Sequence, residues 1–300
     1  MVVVTEIVRT RALSQGAATW LADLPDIVAS LAEQWGLAVG RALTDGTEAF
    51  VAEVVEGDGT PAVLKVLVPG GASTASSEIT ALRLAGGRGC ARLLHDDVER
   101  GALVLERLGP SLQELGLPLG RRQELLCATA AEVWRPVPDS GLPTGAERAQ
   151  WLIEHIERWW NELDAPCSER TVASALSTAE RRRAAHDDER AVLVHGDVHQ
   201  WNLLQSGDRF KLVDPDGVVA EPECDLGSLM REDPQELLAE GGDRVRAERL
   251  ASLCGLDPVA VREWGEVERV STGLLCATLD LEPQARQLLE VADALAAARS

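Results

Sequence analysis

Val192-Leu193-Val194-His195-Gly196-Asp197-Val198-His199-Gln200-Trp201-Asn202-Leu203-Leu204, followed after Ser206-Gly207-Asp208 by Phe210-Lys211-Leu212-Val213-Asp214-Pro215-Asp216-Gly217, is the stretch that decides how this chain folds. Apolar, largely β-branched runs flank a polar loop and a turn, so residues 191–214 read as a β-like island. The polar residues follow a pattern. Asp197, four residues and then Asn202 occupy the loop, and Asp214 ends the next apolar strand.

That spacing suits transfer of a phosphoryl group from a nucleotide. ATP carries clustered negative charge that Mg²⁺ must bridge, and Mg²⁺ prefers a few hard oxygen ligands with waters retained. An amide oxygen from Asn202 and a carboxylate from Asp214 supply them. A carboxylate at Asp197 is placed to receive the proton of an acceptor hydroxyl, a task that depends mainly on positioning and electrostatics. Asp-x-x-x-x-Asn alone arises often by chance. It becomes specific after a β-run, behind His-Gly, and ahead of Leu-Leu, a turn and a strand ending in Asp. The competing reading is an ordinary hairpin with surface acids. His195 is expected to pack and hydrogen-bond, and His199 and Trp201 to shape the loop.

Upstream, Lys65 lies within Ala62-Val63-Leu64-Lys65-Val66-Leu67-Val68, an apolar strand where a charge is costly unless paired. Of the 29 lysines and arginines, only Lys65 and Lys211 are lysine. A compact ammonium retained in such a chain fits a point contact with phosphates. The natural partner is Glu78 on the following helix, with Glu53 as a rival; an edge-strand lysine facing water is the alternative. Val104-Leu105-Glu106-Arg107-Leu108 falls at a junction where the backbone of Glu106 and Leu108 is expected to meet adenine. Thr44-Asp45-Gly46-Thr47-Glu48 joins two strands and could cover phosphates with its amides, or be a plain hairpin turn. No lysine follows a glycine, so there is no Walker A loop. Gly57-Asp58-Gly59-Thr60-Pro61-Ala62 enters a strand rather than a helix, which removes the dinucleotide fingerprint.

Around these motifs the periodicity predicts an α+β chain with a bilobal plan, and the Asp197-to-Asn202 spacing, which resembles that of a kinase catalytic loop, makes the expected fold protein-kinase-like. The small β-rich N-lobe covers residues 1–107, with a helical lead-in over 1–35, strands at 37–43, 48–55, 62–68, 91–94 and 102–105, and a helix over 73–85. The C-lobe, 108–300, is mainly helical at 121–134, 145–163, 168–188, 235–254, 258–280 and 283–299, interrupted by the β-island.

The 45% hydrophobic content supports a sizeable core. A net charge of −20 argues against a nucleic-acid partner and favours a cationic small-molecule acceptor, with solubility alone as the alternative reading. No run reaches membrane-span length and no signal peptide is read, so the chain is expected in the cytosol. The six cysteines show no CxxC pair and read as reduced, mostly buried thiols.

The run His195-Gly196-Asp197 through Asn202, Asp214-Pro215-Asp216-Gly217, and Glu221-Pro222-Glu223-Cys224-Asp225-Leu226 resembles the aminoglycoside phosphotransferase family. Within it the run looks most like the branch of streptomycin 6-phosphotransferases and hydroxyurea phosphotransferases. Leu250–Trp264 is similar to that branch as well. The resemblance implies ATP and Mg²⁺, Asp197 as base, Asn202 and Asp214 as metal ligands, and Asp225 as a brace under the catalytic loop. It departs at Asp216, where a basic residue is expected. A polycationic acceptor of the streptomycin type would meet acids following the metal strand and Glu263 and Glu266, three apart on one helical face. Alternatives are a kinase of another small alcohol, sugar or hydroxyurea-like metabolite, and a nucleotide-binding pseudokinase. The presence of Lys65, Asp197, Asn202 and Asp214 speaks against the last.

Overall fold

The computed structural model describes residues 2–44, 46, 48–70 and 75–298. The chain divides into two compact units, Met1–Pro110 with Gln205–Asp216, and Ser111–Leu204 with Gly217–Ser300.

In the first unit the lead-in is two helices, α1 (Glu6–Ser14) and α2 (Ala18–Trp35). Gly16, at φ 73°, turns the chain between them. Strands β1 (Ala38–Leu43), β2 (Ala49–Val55) and β3 (Pro61–Leu67), helix α3 (Ala75–Ala85), and strands β4 (Leu93–Asp97) and β5 (Ala102–Glu106) follow. The five strands form an antiparallel sheet in the order β1-β2-β3-β5-β4. Trp20, Leu24, Val28 and Leu31 recur at helical spacing along α2. They share a core with Phe50, Ala52 and Val54 of β2, Ala62, Leu64 and Val66 of β3, and Ala102 and Val104 of β5. Every second residue of a strand faces one side, so Lys65 points away from α2.

The second unit opens with α4 (Leu119–Val133), α5 (Gly145–Glu162) and α6 (Glu169–Ala184). Next comes β6 (Val192–Val194); the chain then passes through the hairpin strands β7 (Leu203–Ser206) and β8 (Arg209–Leu212), of which β8 belongs to the first unit, to β9 (Val218–Ala220). Helices α7 (Glu223–Leu229), α8 (Pro234–Ala239), α9 (Asp243–Cys254), α10 (Pro258–Thr278) and α11 (Gln284–Ala298) complete it. The chain leaves this unit within β7 and returns after Asp216. Residues 205–216 group with the first unit because their bonds lie there. Gly109 donates to Gln205, Gln205 to Pro110, Ala91 to Leu212 and Leu212 to Gly89, all by backbone N–H at 2.8–3.0 Å.

Two expectations change. One helix over 235–254 is two, because Gly241 and Gly242 sit at φ 106° and 94° and break it. The β-island extends to β9, which pairs antiparallel with β6 (Val192↔Ala220, Val194↔Val218). Three apolar residues beyond a glycine are too few to show a period. The cysteines are free thiols, five of them buried. Among the described residues no helix is long and apolar enough to cross a membrane.

Helix α10 organises the second unit, packing against α5, α6, α7, α9 and α11. Its N-terminus is set by Asp257, whose side chain accepts the Val259 N–H, with Pro258 in the first turn. Where α7 crosses α10 the backbones are too close for side chains. A Cβ added at Gly227 would lie 2.3 Å from the Trp264 Cβ, and one at Gly265 would lie 2.4 Å from the Met230 Cβ. Gly227→Ala is therefore expected to destabilise the protein by roughly 3 kcal/mol, the upper end for overpacking. A thermal melt checks it, and an unchanged midpoint would mean the helices separate freely.

Candidate active site

The sequence-picked residues fall into two groups, one in each unit. In the first, β3 presents Lys65 across from Val51 of β2 and Leu103 of β5. Its ammonium donates to both oxygens of Glu78, at 2.8 and 2.9 Å, and to Asp214 Oδ1 at 3.0 Å. Three protons thus meet three oxygens. Glu78, in the first turn of α3, is 2% exposed, while the Asp214 side chain is 49% exposed. Burial alone would lower the Lys65 pKa, but Asp214 and Glu78 together hold it above the ordinary lysine value. Burial also pushes the Glu78 carboxyl up against the pull of the ammonium. Glu53, the rival partner, is held instead by Arg41 and Arg107.

Asp214 adopts the left-handed region at φ 60°, two residues past the end of β8. At the end of β5, the Glu106 carboxylate accepts from Lys211 and from the Arg92 N–H, and its own N–H donates to the Arg92 carbonyl. The second lysine is thus engaged too. Leu108 is buried. In the loop between β1 and β2, Asp45 and Thr47 lie outside the described residues.

In the second unit, β6 leads into the loop that carries Asp197 and Asn202. Asp225, from α7, lies beneath it with no exposed surface. Its carboxylate accepts the backbone N–H of Gly196 at 2.7 Å, that of His195 at 3.1 Å and the Trp134 indole N–H at 2.8 Å. Burial raises the Asp225 pKa, and these donors offset only part of the rise. The His195 imidazole accepts the Asp197 N–H through Nδ1 at 3.2 Å, a packing role as expected.

The Asp197 carboxylate is engaged at both oxygens. Oδ2 receives Asn202 Nδ2 at 3.1 Å and lies 3.2 Å from His199 Nε2, while Oδ1 pairs with Arg231. His199 Nδ1 accepts the Trp201 N–H, so the ring proton sits on Nε2 and points at the carboxylate. Burial would raise the Asp197 pKa, yet His199 and Arg231 hold it well below the usual carboxylate value. The amide nitrogen of Asn202 is committed to Asp197 through both its side chain and its carbonyl. The amide oxygen is the end left to face a cation. An amide oxygen is a hard donor of the kind that Mg²⁺ takes when it arrives with phosphates, and so, in the first unit, is the half-exposed carboxylate of Asp214. Among the described residues no cluster of three His, Cys, Asp or Glu could hold a metal.

Glu263 and Glu266 do not form an open acidic site. They share a face of α10, but that face lies against α6. Glu263 pairs with Arg181 and Arg182 at 2.9 and 2.7 Å, and Glu266 accepts from the hydroxyls of Ser174 and Thr178. At Glu263 the guanidinium groups expected from a substrate are supplied by the protein itself. Glu221, among the acids that follow β8, is likewise held by Arg182 and by the indole of Trp264. Sequence reading missed Arg231, Glu268 and Trp134. The only available signal for Arg231 was a charged run, Arg231-Glu232-Asp233, abutting Leu229-Met230, and nothing local told which way it faced.

A sequence model of the family described as aminoglycoside/hydroxyurea antibiotic resistance kinase matches residues 34–275. A hydroxyurea phosphotransferase of Kitasatospora aureofaciens is 32% identical over 267 residues, covering 86% of this chain and 75% of that protein. A streptomycin 6-kinase of Streptomyces glaucescens is 28% identical, covering 85% and 83%. Among solved structures, a thermostable aminoglycoside phosphotransferase mutant in ternary complex with ADP and hygromycin B superposes with a TM-score of 0.62 at 17% identity. It covers 90% of this chain and 97% of that one. At that identity the likeness speaks for the fold, which is the protein-kinase-like fold expected from the sequence.

Asp225→Asn tests the brace. An amide keeps the volume but turns an NH₂ toward donors that need an acceptor, so roughly 3 kcal/mol of stability is expected to go. Urea unfolding measures the loss, and turnover is expected to fall with it. Both unchanged would mean the loop needs no support from α7.

Proposed function

Because the chain belongs to the aminoglycoside/hydroxyurea antibiotic resistance kinase family, we propose that this small-molecule kinase moves the γ-phosphate of ATP to a hydroxyl of a streptomycin-type aminoglycoside. The observation that carries the reading is the state of Asp197. Its carboxylate is kept ionised and oriented by Asn202, His199 and Arg231. An oriented carboxylate can accept a hydrogen bond from the acceptor and take its proton as the O–P bond forms and the bond to the β-phosphate breaks.

Lys65 is the residue for the α- and β-phosphates. Its third proton goes to Asp214, and a phosphate oxygen can replace that partner while Glu78 keeps the ammonium in place. Asn202 and Asp214 would hold Mg²⁺, which supplies neutralisation of phosphate charge. Glu106 and Leu108 remain the proposed backbone contacts for adenine. ATP use is further supported by the ADP in the solved relative. The charge of −20 supports a cationic acceptor by attraction. A second reading, hydroxyurea as the acceptor, draws on the relative at 32% identity.

The test follows ADP release with ATP and Mg²⁺ against streptomycin, hydroxyurea and a neutral alcohol. Streptomycin is expected to be turned over, with an acceptor affinity that weakens as salt rises. Turnover of hydroxyurea alone would remove the aminoglycoside claim and leave the chemistry standing.

Asp197→Asn is expected to lower turnover by about 10²–10⁴-fold with ATP affinity nearly intact. Asp214→Ala should abolish the enhancement of ATP binding by Mg²⁺. More than about a tenth of wild-type turnover in Asp197→Asn would sink the base assignment.

A further inference from the structure

Arg231 follows the short helix α7 by two residues and closes on the Asp197 carboxylate from the side opposite Asn202 and His199. An ionised carboxylate offers about four lone-pair directions. Asn202 and His199 take two on Oδ2, and Arg231 takes one on Oδ1. The direction left open is on Oδ1, beside the guanidinium.

Arg231 is itself fixed from behind. Its Nη1 donates to Glu268 Oε2 at 3.3 Å and to Thr272 Oγ1 at 3.1 Å, both on α10. Glu268, 2% exposed, is shared at 3.3 Å with Arg148 of α5. Charges of alternating sign thus run from Asp197 through Arg231 and Glu268 to Arg148, ending in the helical core. The neighbouring residues clasp the same loop. Glu232 accepts the Gln200 N–H at 3.0 Å, and Asp233 pairs at 2.9 Å with Arg122, which also donates to the Gln200 side chain.

We infer that Arg231 is a positioning residue for the transfer, aiming the one open lone pair of Asp197 Oδ1 at the acceptor hydroxyl. The inference rests on Asp197 being the base. A carboxylate free to rotate about its Cβ–Cγ bond presents that lone pair in many directions. The ion pair, held rigid through Glu268 and Thr272, leaves one. Only a hydroxyl that arrives along it is activated, so Arg231 acts on turnover rather than on acceptor capture.

The experiment measures kcat and KM for Arg231→Gln, Arg231→Lys and Arg231→Ala. ADP release is followed with streptomycin, with hydroxyurea and with water as acceptor, so that a rate is obtained whichever is used. Arg231→Gln is expected to lose about 100-fold in kcat, with both KM values within about threefold of wild type. Arg231→Lys should recover about tenfold of that loss, and added guanidinium ion should restore turnover in Arg231→Ala, which a merely structural role would not allow. Removing one partner strands a buried charge. Where the single change fails to fold, Arg231→Gln with Glu268→Gln removes one charge of each sign, leaves Arg148 facing an amide oxygen, and is expected to show the same fall in kcat.

Wild-type kcat in Arg231→Gln overturns the inference. So does an acceptor KM that falls when Arg231 is removed, which would make the guanidinium an obstruction. Asp197→Asn, run alongside, separates the two levels. If it keeps its turnover, the base assignment fails; if it is dead while Arg231→Gln is wild type, only the role of Arg231 fails.

Discussion

A carboxylate with no exposed surface holds up the loop that carries Asp197 and Asn202. Asp225 accepts two successive backbone N–H groups, from His195 and Gly196, and the Trp134 indole. Successive amides rarely point the same way unless something gathers them, and a buried anion is the strongest acceptor available to do it. Asp225 can do so because α7 is pinned to α10, where Gly227 and Gly265 let two helix backbones meet without side chains between them. Adding a methyl group at that crossing would lift the carboxylate from the loop it supports.

The same unit uses buried charge to limit freedom rather than to gain stability. Replacing a buried ion pair by well-packed apolar residues is often neutral, whereas removing one partner alone is severe. Glu268 with Arg148 and Arg231, and Glu263 with Arg181 and Arg182, therefore make poor stabilisers and good registers. They lock α5, α6 and the segment after α7 onto α10 in one arrangement. In the first unit the group of Lys65, Glu78 and Asp214 works differently. Glu78 is buried whereas Asp214 is half-exposed, so the lysine has one partner shielded from water and one that water can reach.

Residues of one type met different fates, and the reason lies outside their local sequence. Glu78 and Glu263 are both glutamates on helices, and both were singled out. Glu78 could be paired in advance because Lys65 sits in an apolar strand that gives a charge few options. Glu263 could not, since its partners, Arg181 and Arg182, are about eighty residues upstream on a helix whose facing cannot be read from its own composition. Arg231 escaped notice for the same reason, as did the length of the β-island, whose last strand is three residues.

The sequence by itself determined the sheet and its lysine, the Asp197–Asn202–Asp214 spacing, the helical character of the remainder and the family. These rest on periods of two and of 3.6, on turn residues and on short-range spacing, all local and all written in order along the chain. Only the tertiary structure decided which acids are open and which are already satisfied. It also decided that Asp197 is approached by Arg231, and that Gly227 is a point of helix contact rather than a break. Those outcomes depend on which faces of distant helices meet, and the chain does not record that in any one window.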